Sequence, residues 1–315
     1  MLALRPSSRD DHELVLRVLA AREARDFGVA GFIRGFLLEG WRERLFDPGA
    51  STVVAVDDGA IIGYGVLFAQ GALVFVDPAH EQRGVGSRLR AWVEAAAVAS
   101  HRSHHRQVIA HGNADARVLL TEAGYRHLRS VIQMSKATQP PPTAPAAPTG
   151  ITLATLDVAA DGRALHLADT TSFAGNADYA PSAFESFEKE HLEAPDLAPD
   201  LSRVAKRGET IAGFTLCRRQ PDGVGYIDLL AVDPSERGRG LGTALLLTAF
   251  EDFARAGLRD ARLEVASDNP RGLRLYARAG MSERLRADVY EKPVDVDEVP
   301  AGIAADVTGT AAAKS

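Results

Sequence analysis

Apolar residues along this chain fall into short strand-like runs closed by glycine, proline and aspartate, alternating with longer stretches at helical spacing. In the C-terminal half, GETIAGFTLCRR is a turn followed by an apolar run, and after PDG the run VGYIDLLAV follows; together they predict a β-hairpin. Next comes the loop DPSERGRGLG. Ala244, Leu247, Thr248, Phe250 and Ala254 then recur at helical spacing up to Gly257. ARLEVA predicts a further strand. NPRGLRLYARAG predicts a second helix, capped by Asn269, begun by Pro270 and closed by Gly280. A last strand is expected around residues 284–291. An antiparallel meander followed by strand–helix–strand–helix–strand is an α/β layer structure, with helices flanking a mixed, mostly antiparallel sheet.

The same order occurs earlier, and the register shows a duplication. Val76, Asp77, Pro78, Arg83, Gly84, Gly86, Asn113, Ala123, Gly124 and Lys136 each recur 156 positions later, from Val232 to Lys292. Upstream, AIIGYG from Ala60 recurs as TIAGFT from Thr210, a separation of 150 that fits a longer turn at RRQPDG. The segment TQPPPTAPAAPTG, residues 138–150, predicts an exposed, semi-extended linker, because proline lacks the N–H and fixes φ. The expected organisation is therefore a first copy over 1–137, a linker over 138–150, a second copy over 151–292 and a mobile tail over 293–315.

Composition narrows the function. The 315 residues are 46% hydrophobic and 25% charged, with a formal net charge of −6, which gives no support to a nucleic-acid surface. No apolar run suffices to span a bilayer, and Arg and Asp come too early for a secretory signal. The single cysteine, Cys217, can close no intrachain disulfide and reads as a small buried hydrophobe. A cytoplasmic protein, monomeric or homodimeric, without nucleic-acid or membrane partners, is expected. His101, His104 and His105 cluster without a nearby cysteine or placed acid, so no metal site is expected.

Glycines between a strand and a helix let a ligand approach the backbone, and the free N–H groups of the helix start form an anion cradle suited to phosphate. A P-loop lysine is missing, and Gly238, Gly240 and Gly242 do not space as a dinucleotide fingerprint. RGRGLG, preceded by AVDP and followed by Asn269, Tyr276 and Gly280, resembles instead the R/Q-x-x-G-x-G/A signature of the GNAT acyltransferase superfamily. The resemblance covers both copies and implies two tandem GNAT folds.

It also implies acetyl-CoA, or another acyl-CoA, as donor and direct transfer to a primary amine of a small molecule, with no metal and no enzyme nucleophile. Arg237, Gly238, Arg239, Gly240, Leu241, Gly242 and Thr243 would then hold the diphosphate. Leu230, Ala231 and Val232 would line the pantetheine arm, and Asn269 would contact it. The corresponding first-copy positions are Val76, Arg83, Gly84, Val85, Gly86 and Ser87. Tyr276 is the expected proton donor to the departing thiolate, since a phenol is protonated at neutral pH. Asp228, the only carboxylate of its strand, is the expected base, directly or through water. Family members carry this acid at varying positions, and Tyr226 stands where one such pattern has glutamate. Strand alternation aims Tyr226, Asp228 and Leu230 to one face unless a bulge intervenes. Arg271 and Arg274 suit either phosphate contacts or a solvated helix face.

In the first copy Tyr276 maps to Leu120, Asp228 to Ala72, Tyr226 to Gln70 and Arg237 to Glu81. That copy is expected to be catalytically silent, either binding coenzyme or buttressing the second. The acidic segment AFESFEKEHLEAPDLAPD, with Phe173, Tyr179, Phe184 and Phe187 nearby, would wall the acceptor site or remain a solvated face. A peptide N-acetyltransferase and a non-catalytic acyl-CoA sensor are the competing readings.

Overall fold

The computed structural model describes residues 1–28, 51–68, 71–100, 104–176 and 179–293. Gln70, His101 and the expected tail from residue 294 lie outside them. In chain order the elements are β1 (Ala3–Pro6), α1 (His12–Phe27), β2 (Thr52–Asp57), β3 (Ala60–Phe68), β4 (Gly71–Val76), α2 (Val85–Ala99), β5 (His104–Ala110), α3 (Ala114–Glu122) and β6 (Arg126–Ala137). The order then repeats: β7 (Thr152–Thr155), α4 (Val158–Phe173), α5 (Phe184–Phe187) running into a π-helical turn Glu188–Leu192, β8 (Arg203–Arg207), β9 (Thr210–Gln220), β10 (Val224–Val232), α6 (Leu241–Arg255), β11 (Asp260–Ala266), α7 (Pro270–Arg278) and β12 (Ser282–Pro293).

The chain forms two compact units, but they do not part at the proline-rich segment. One comprises Met1–Val131 with the chain from Arg286 onward; the other is Ile132–Leu285. In the first unit the sheet order is β1-β2-β3-β4-β5-β12, and in the second it is β6-β11-β10-β9-β8-β7. Each copy's last strand thus completes the other unit's sheet: β12 pairs antiparallel with β5 from Ala287↔Ala110 to Pro293↔His104.

Both sheets run antiparallel through the hairpin and parallel at the next strand, β4 to β5 and β10 to β11. The buried face of α6 differs from the expected stripe. Leu246, Ala249, Phe250 and Phe253 join a core with Ile227, Leu263 and Tyr276, Leu241 and Leu245 face a second apolar cluster, and Leu247 is only partly buried. Cys217 is fully buried in that core, and burial pushes its thiol up to about 12, well outside reactive range. The segment 138–150 is irregular, as expected, yet it is tied down: buried Thr138 donates from N to the Arg259 carbonyl and from Oγ1 to the Leu258 carbonyl.

Within the first unit, Asp288 on β12 is 3% exposed and accepts from Ser130 Oγ at 2.7 Å, with His111 Nδ1 at 2.9 Å. Burial alone would raise its carboxyl, but these bonds and the charges of His111 and His127 hold it below the ordinary value. A depressed carboxylate stabilises above its unfolded pKa, and that stability is lost as pH falls through the folded one. Asp288→Asn should cost about 1–3 kcal/mol at neutral pH and flatten the acid limb of the stability curve, measured by urea unfolding between pH 3 and 7.

Candidate active site

Two loops carry the repeat in atomic detail. Asp77 and Asp233 each accept from the backbone N–H two residues on, of Ala79 and Ser235. Asn113 and Asn269 each cap the next helix by accepting from the third residue on, Ala116 N and Gly272 N. Gly84 and Gly240, at φ of 76° and 87°, are the left-handed residues that open α2 and α6. Two residues earlier Gly238 is also left-handed, at φ 78°, and its counterpart Gln82 keeps that conformation at φ 59° without being glycine. The backbone of the cradle survives in both copies.

Their charges do not. In the second unit, Arg237 donates to the Val232 and Ser172 carbonyls, at 3.1 and 2.5 Å, which ties the loop to the end of α4. Burial depresses its pKa, and the positive charge of Arg271, on α7, depresses it further. In the first unit those two positions are Glu81 and Asp115. Glu81 is ion-paired with Arg22, which also pairs with Asp26, and Asn113 Nδ2 donates to Asp26 at 3.4 Å. The acceptors and donors that would meet a ligand there meet one another.

The hairpins also differ. β4 pairs with β3 through six consecutive residues without a shift, whereas β10 slips by one between Ile227 and Leu229 against β9. Asp228 is the extra, bulged residue. The six additional residues therefore lengthen the arms of the hairpin and supply the bulge as well as the turn. β10 and β11 pair in parallel from Val224↔Asp260 to Ile227↔Leu263; both strands run on, and among the described residues β10 there pairs with β9. A gap opens beside Leu230, Ala231 and Val232, with backbone groups that can receive an extended chain.

The bulge corrects the expectation that Tyr226, Asp228 and Leu230 share a face. Leu230 packs with Tyr276 and Ile227 on the α6 side, while Leu229 and Ala231 pack with Phe187 and Phe214 on the α4 side. Tyr226 and Asp228 lie on this second side, where the charges of Arg218 and Asp228 reach Tyr226. Tyr276 is 9% exposed, and burial pushes its phenol up to about 12, so it holds its proton throughout the neutral range. Leu120, its counterpart, is packed with Tyr125 and Tyr290, and Ala72 is fully buried; the first unit has no proton donor at either place.

Asp228 does not stand alone. Its Oδ2 accepts from His191 Nδ1 and from Arg218 Nη2, both at 2.8 Å. Arg218 also binds Asp196 Oδ1 at 3.0 Å and the Glu190 carbonyl. Burial opposes ionisation of Asp228, but the His191 bond and the Arg218 charge win, and its carboxyl stays below the ordinary value. Glu264, on β11, has solvent access although protein crowds around it, as suits a group lining a crevice. That crowding, with the charge of Asp228, raises its carboxyl against a hydrogen bond from Gln133. The acidic segment thus contributes His191 through the π-helical turn and Asp196, while Phe187 packs on His191 with centroids 4.9 Å apart. Asp200 instead pairs with Arg219 at the surface. His191 and Glu264 escaped the sequence reading, although Glu264 was the one carboxylate in ARLEVA.

A glycine-turned cradle before a helix, a split between two parallel strands and a buried phenol beside it define an acyltransferase architecture. This chain belongs to the GNAT acetyltransferase family and is an N-acetyltransferase: residues 166–281 match the acetyltransferase (GNAT) family, and residues 48–127 match an acetyltransferase (GNAT) domain. Among its relatives is a mycothiol acetyltransferase of Actinosynnema mirum, 29% identical over 285 residues, covering 88% of this chain and 94% of the relative. Another, from Brachybacterium faecium, is 31% identical over 231 residues, covering 70% and 67%. A GCN5-related N-acetyltransferase from Sphaerobacter thermophilus has the same fold, with TM-score 0.80, 27% identity, and 93% and 96% of the two chains covered. A tandem GNAT protein from the clavulanic acid biosynthesis pathway shares the fold at TM-score 0.70 and 18% identity, covering 94% and 99%.

Proposed function

We propose that the second unit transfers the acyl group of acetyl-CoA directly to a primary amine of a small molecule, and that each chain has one donor site. The observation that carries this is the pair of cations, Arg237 and Arg271, beside the Gly238–Gly240 turn, against Glu81 and Asp115 in the first copy. A diphosphate carries negative charge that the first arrangement neutralises and the second repels. The donor fits the residues present: Leu241, Gly242 and Thr243 supply the unpaired amides of the first turn of α6, and Arg237 and Arg271 supply charge. Asn269 meets the arm of the donor, and the edge of β10 at Leu230–Val232 pairs with it. Bound coenzyme supplies the activated acyl group; every remaining task falls to side chains of this chain.

Tyr276 gives its proton to the leaving sulfur from the α6 side of the split, and the amine loses its proton on the Asp228 side. No enzyme nucleophile takes part, so positioning supplies most of the acceleration. The first unit, with Leu120 and Ala72 at the two critical places, is silent. The names of the relatives put an amine of the mycothiol type first among acceptors to try.

The test is thiol release by the full chain with acetyl-CoA against amino sugars including glucosamine, polyamines, amino acids and peptides, joined to calorimetry with acetyl-CoA. Release with a small amine and binding of one coenzyme per chain are expected. Release with peptides alone would replace the small-molecule reading. Binding without release to any amine would leave a sensor, and two coenzymes per chain would restore the first cradle.

A further inference from the structure

Asp228 is poorly suited to take the proton itself. Its one oxygen Oδ2 already accepts from two donors, and Arg218 neutralises it. The geometry hands the task on by one residue. An ionised carboxylate can only accept, so the His191 nitrogen facing it, Nδ1, carries the hydrogen. In the neutral ring the lone pair is then on Nε2, at the opposite edge. The ring is held twice, by the carboxylate and by the face of Phe187, and its side chain keeps 17% of its surface exposed. It lies on the Asp228 side of the sheet, one hydrogen bond from the bulge where β10 and β11 separate.

We propose that His191 Nε2 is the proton acceptor for the amine, and that Asp228, held by Arg218, is a positioning residue that fixes the ring and its tautomer. This rests on the second unit being the catalytic one. In the step, the amine nitrogen forms a C–N bond to the acyl carbon as the C–S bond breaks. The amine proton passes to His191 Nε2, and the departing sulfur takes the phenol proton of Tyr276. Imidazolium and phenolate then return to their starting states by exchange with solvent.

The charged and titratable groups around His191 come from every neighbouring element: Asp228 on β10, Arg218 on β9, Asp196 before β8, Asp169 and His166 on α4, and Glu190 on its own turn. Glu264 on β11 reaches the cluster through Asp228. Asp169 is bonded by the Tyr179 hydroxyl at 2.7 Å, and burial raises its carboxyl. Among the described residues Glu264, on the strand beside β10 and with its carboxyl also raised, is the rival acceptor to test.

Two measurements on the full chain decide the matter. Nitrogen-15 NMR of histidine-labelled protein should show His191 protonated at Nδ1 and bare at Nε2 when neutral, with that preference lost in Asp228→Asn. This arm needs no acceptor, so it stands even if the screen above finds no turnover, an outcome that would sink the parent reading instead. With glucosamine as acceptor, His191→Gln should lower kcat about 100-fold at neutral pH and remove the limb on which the rate rises with pH. The KM for acetyl-CoA should hold, and added imidazole should restore turnover to His191→Ala. Asp228→Asn should displace the limb without removing it. A neutral His191 carrying its hydrogen on Nε2, or a limb that survives in His191→Gln and vanishes in Glu264→Gln, would overturn the assignment.

Discussion

Tyr276→Phe should lower kcat by about 10²–10³-fold, the usual scale of a positioned proton donor, and leave the KM for acetyl-CoA within a small factor of wild type. The substitution removes one oxygen and keeps the ring that packs with Leu246, Phe250 and Leu263, so the core around α6 and α7 is preserved. Burial holds the phenol at about 12, which makes it a weak acid toward a thiolate in water. The sulfur, however, departs into the same dry surroundings, and these raise its own proton affinity. The loss should therefore be confined to the chemical step. Steady-state kinetics checks it, together with a thermal unfolding scan to show that the variant folds. A turnover number for Tyr276→Phe equal to wild type would remove Tyr276 from the mechanism. Leu120→Tyr in the first unit should by contrast add no activity, because Ala72 and the unshifted hairpin leave nothing opposite it.

The second large effect is on binding. Converting the second cradle to the charges of the first, Arg237→Glu with Arg271→Asp, should weaken acetyl-CoA by at least about 100-fold. Charge-assisted hydrogen bonds contribute about 1.5–3 kcal/mol each, and every 1.4 kcal/mol is roughly tenfold in Kd. Calorimetry at two salt concentrations measures the effect, since the wild-type Kd should rise with salt and the variant's barely at all. Unchanged affinity would mean that the diphosphate lies elsewhere. Arg237 also ties the loop to the Ser172 carbonyl, so Arg237→Lys, which keeps the charge and loses the guanidinium's paired bonds, serves as the control for loop position.

Much of this site was legible in the order of residues because it depends on backbone conformations that few residues adopt. The glycines of RGRGLG, the Asn269 cap and the spacing to Tyr276 all report local geometry, and local geometry is written locally. Cys217 was likewise placed correctly by its apolar strand. His191 was not legible: it meets Asp228 across 37 positions, and only the folding of the acidic segment over the α4 side brings them together. The bulge at Asp228 hid for a related reason. It shifts a register by one residue against β9, and nothing in VGYIDLLAV marks which residue is extra. Arg271 suits a solvated helix face as well as a phosphate contact from sequence alone; that its charge reaches Arg237 emerges only in the fold. The pairing of β12 with β5 was not legible either, because it joins positions almost 200 apart in the chain.

That exchange of last strands bears on the copy that has Leu120 in place of Tyr276. β6 is encoded by the first copy and borders β11 in the unit that holds Tyr276. A gene trimmed to its second half would make a protein whose central platform stops at a raw margin, with the strand next to the reactive split left uncovered and prone to stick to its fellows. The two halves are in this sense mortgaged to each other: the platform under Tyr276 is finished by residues of the first copy.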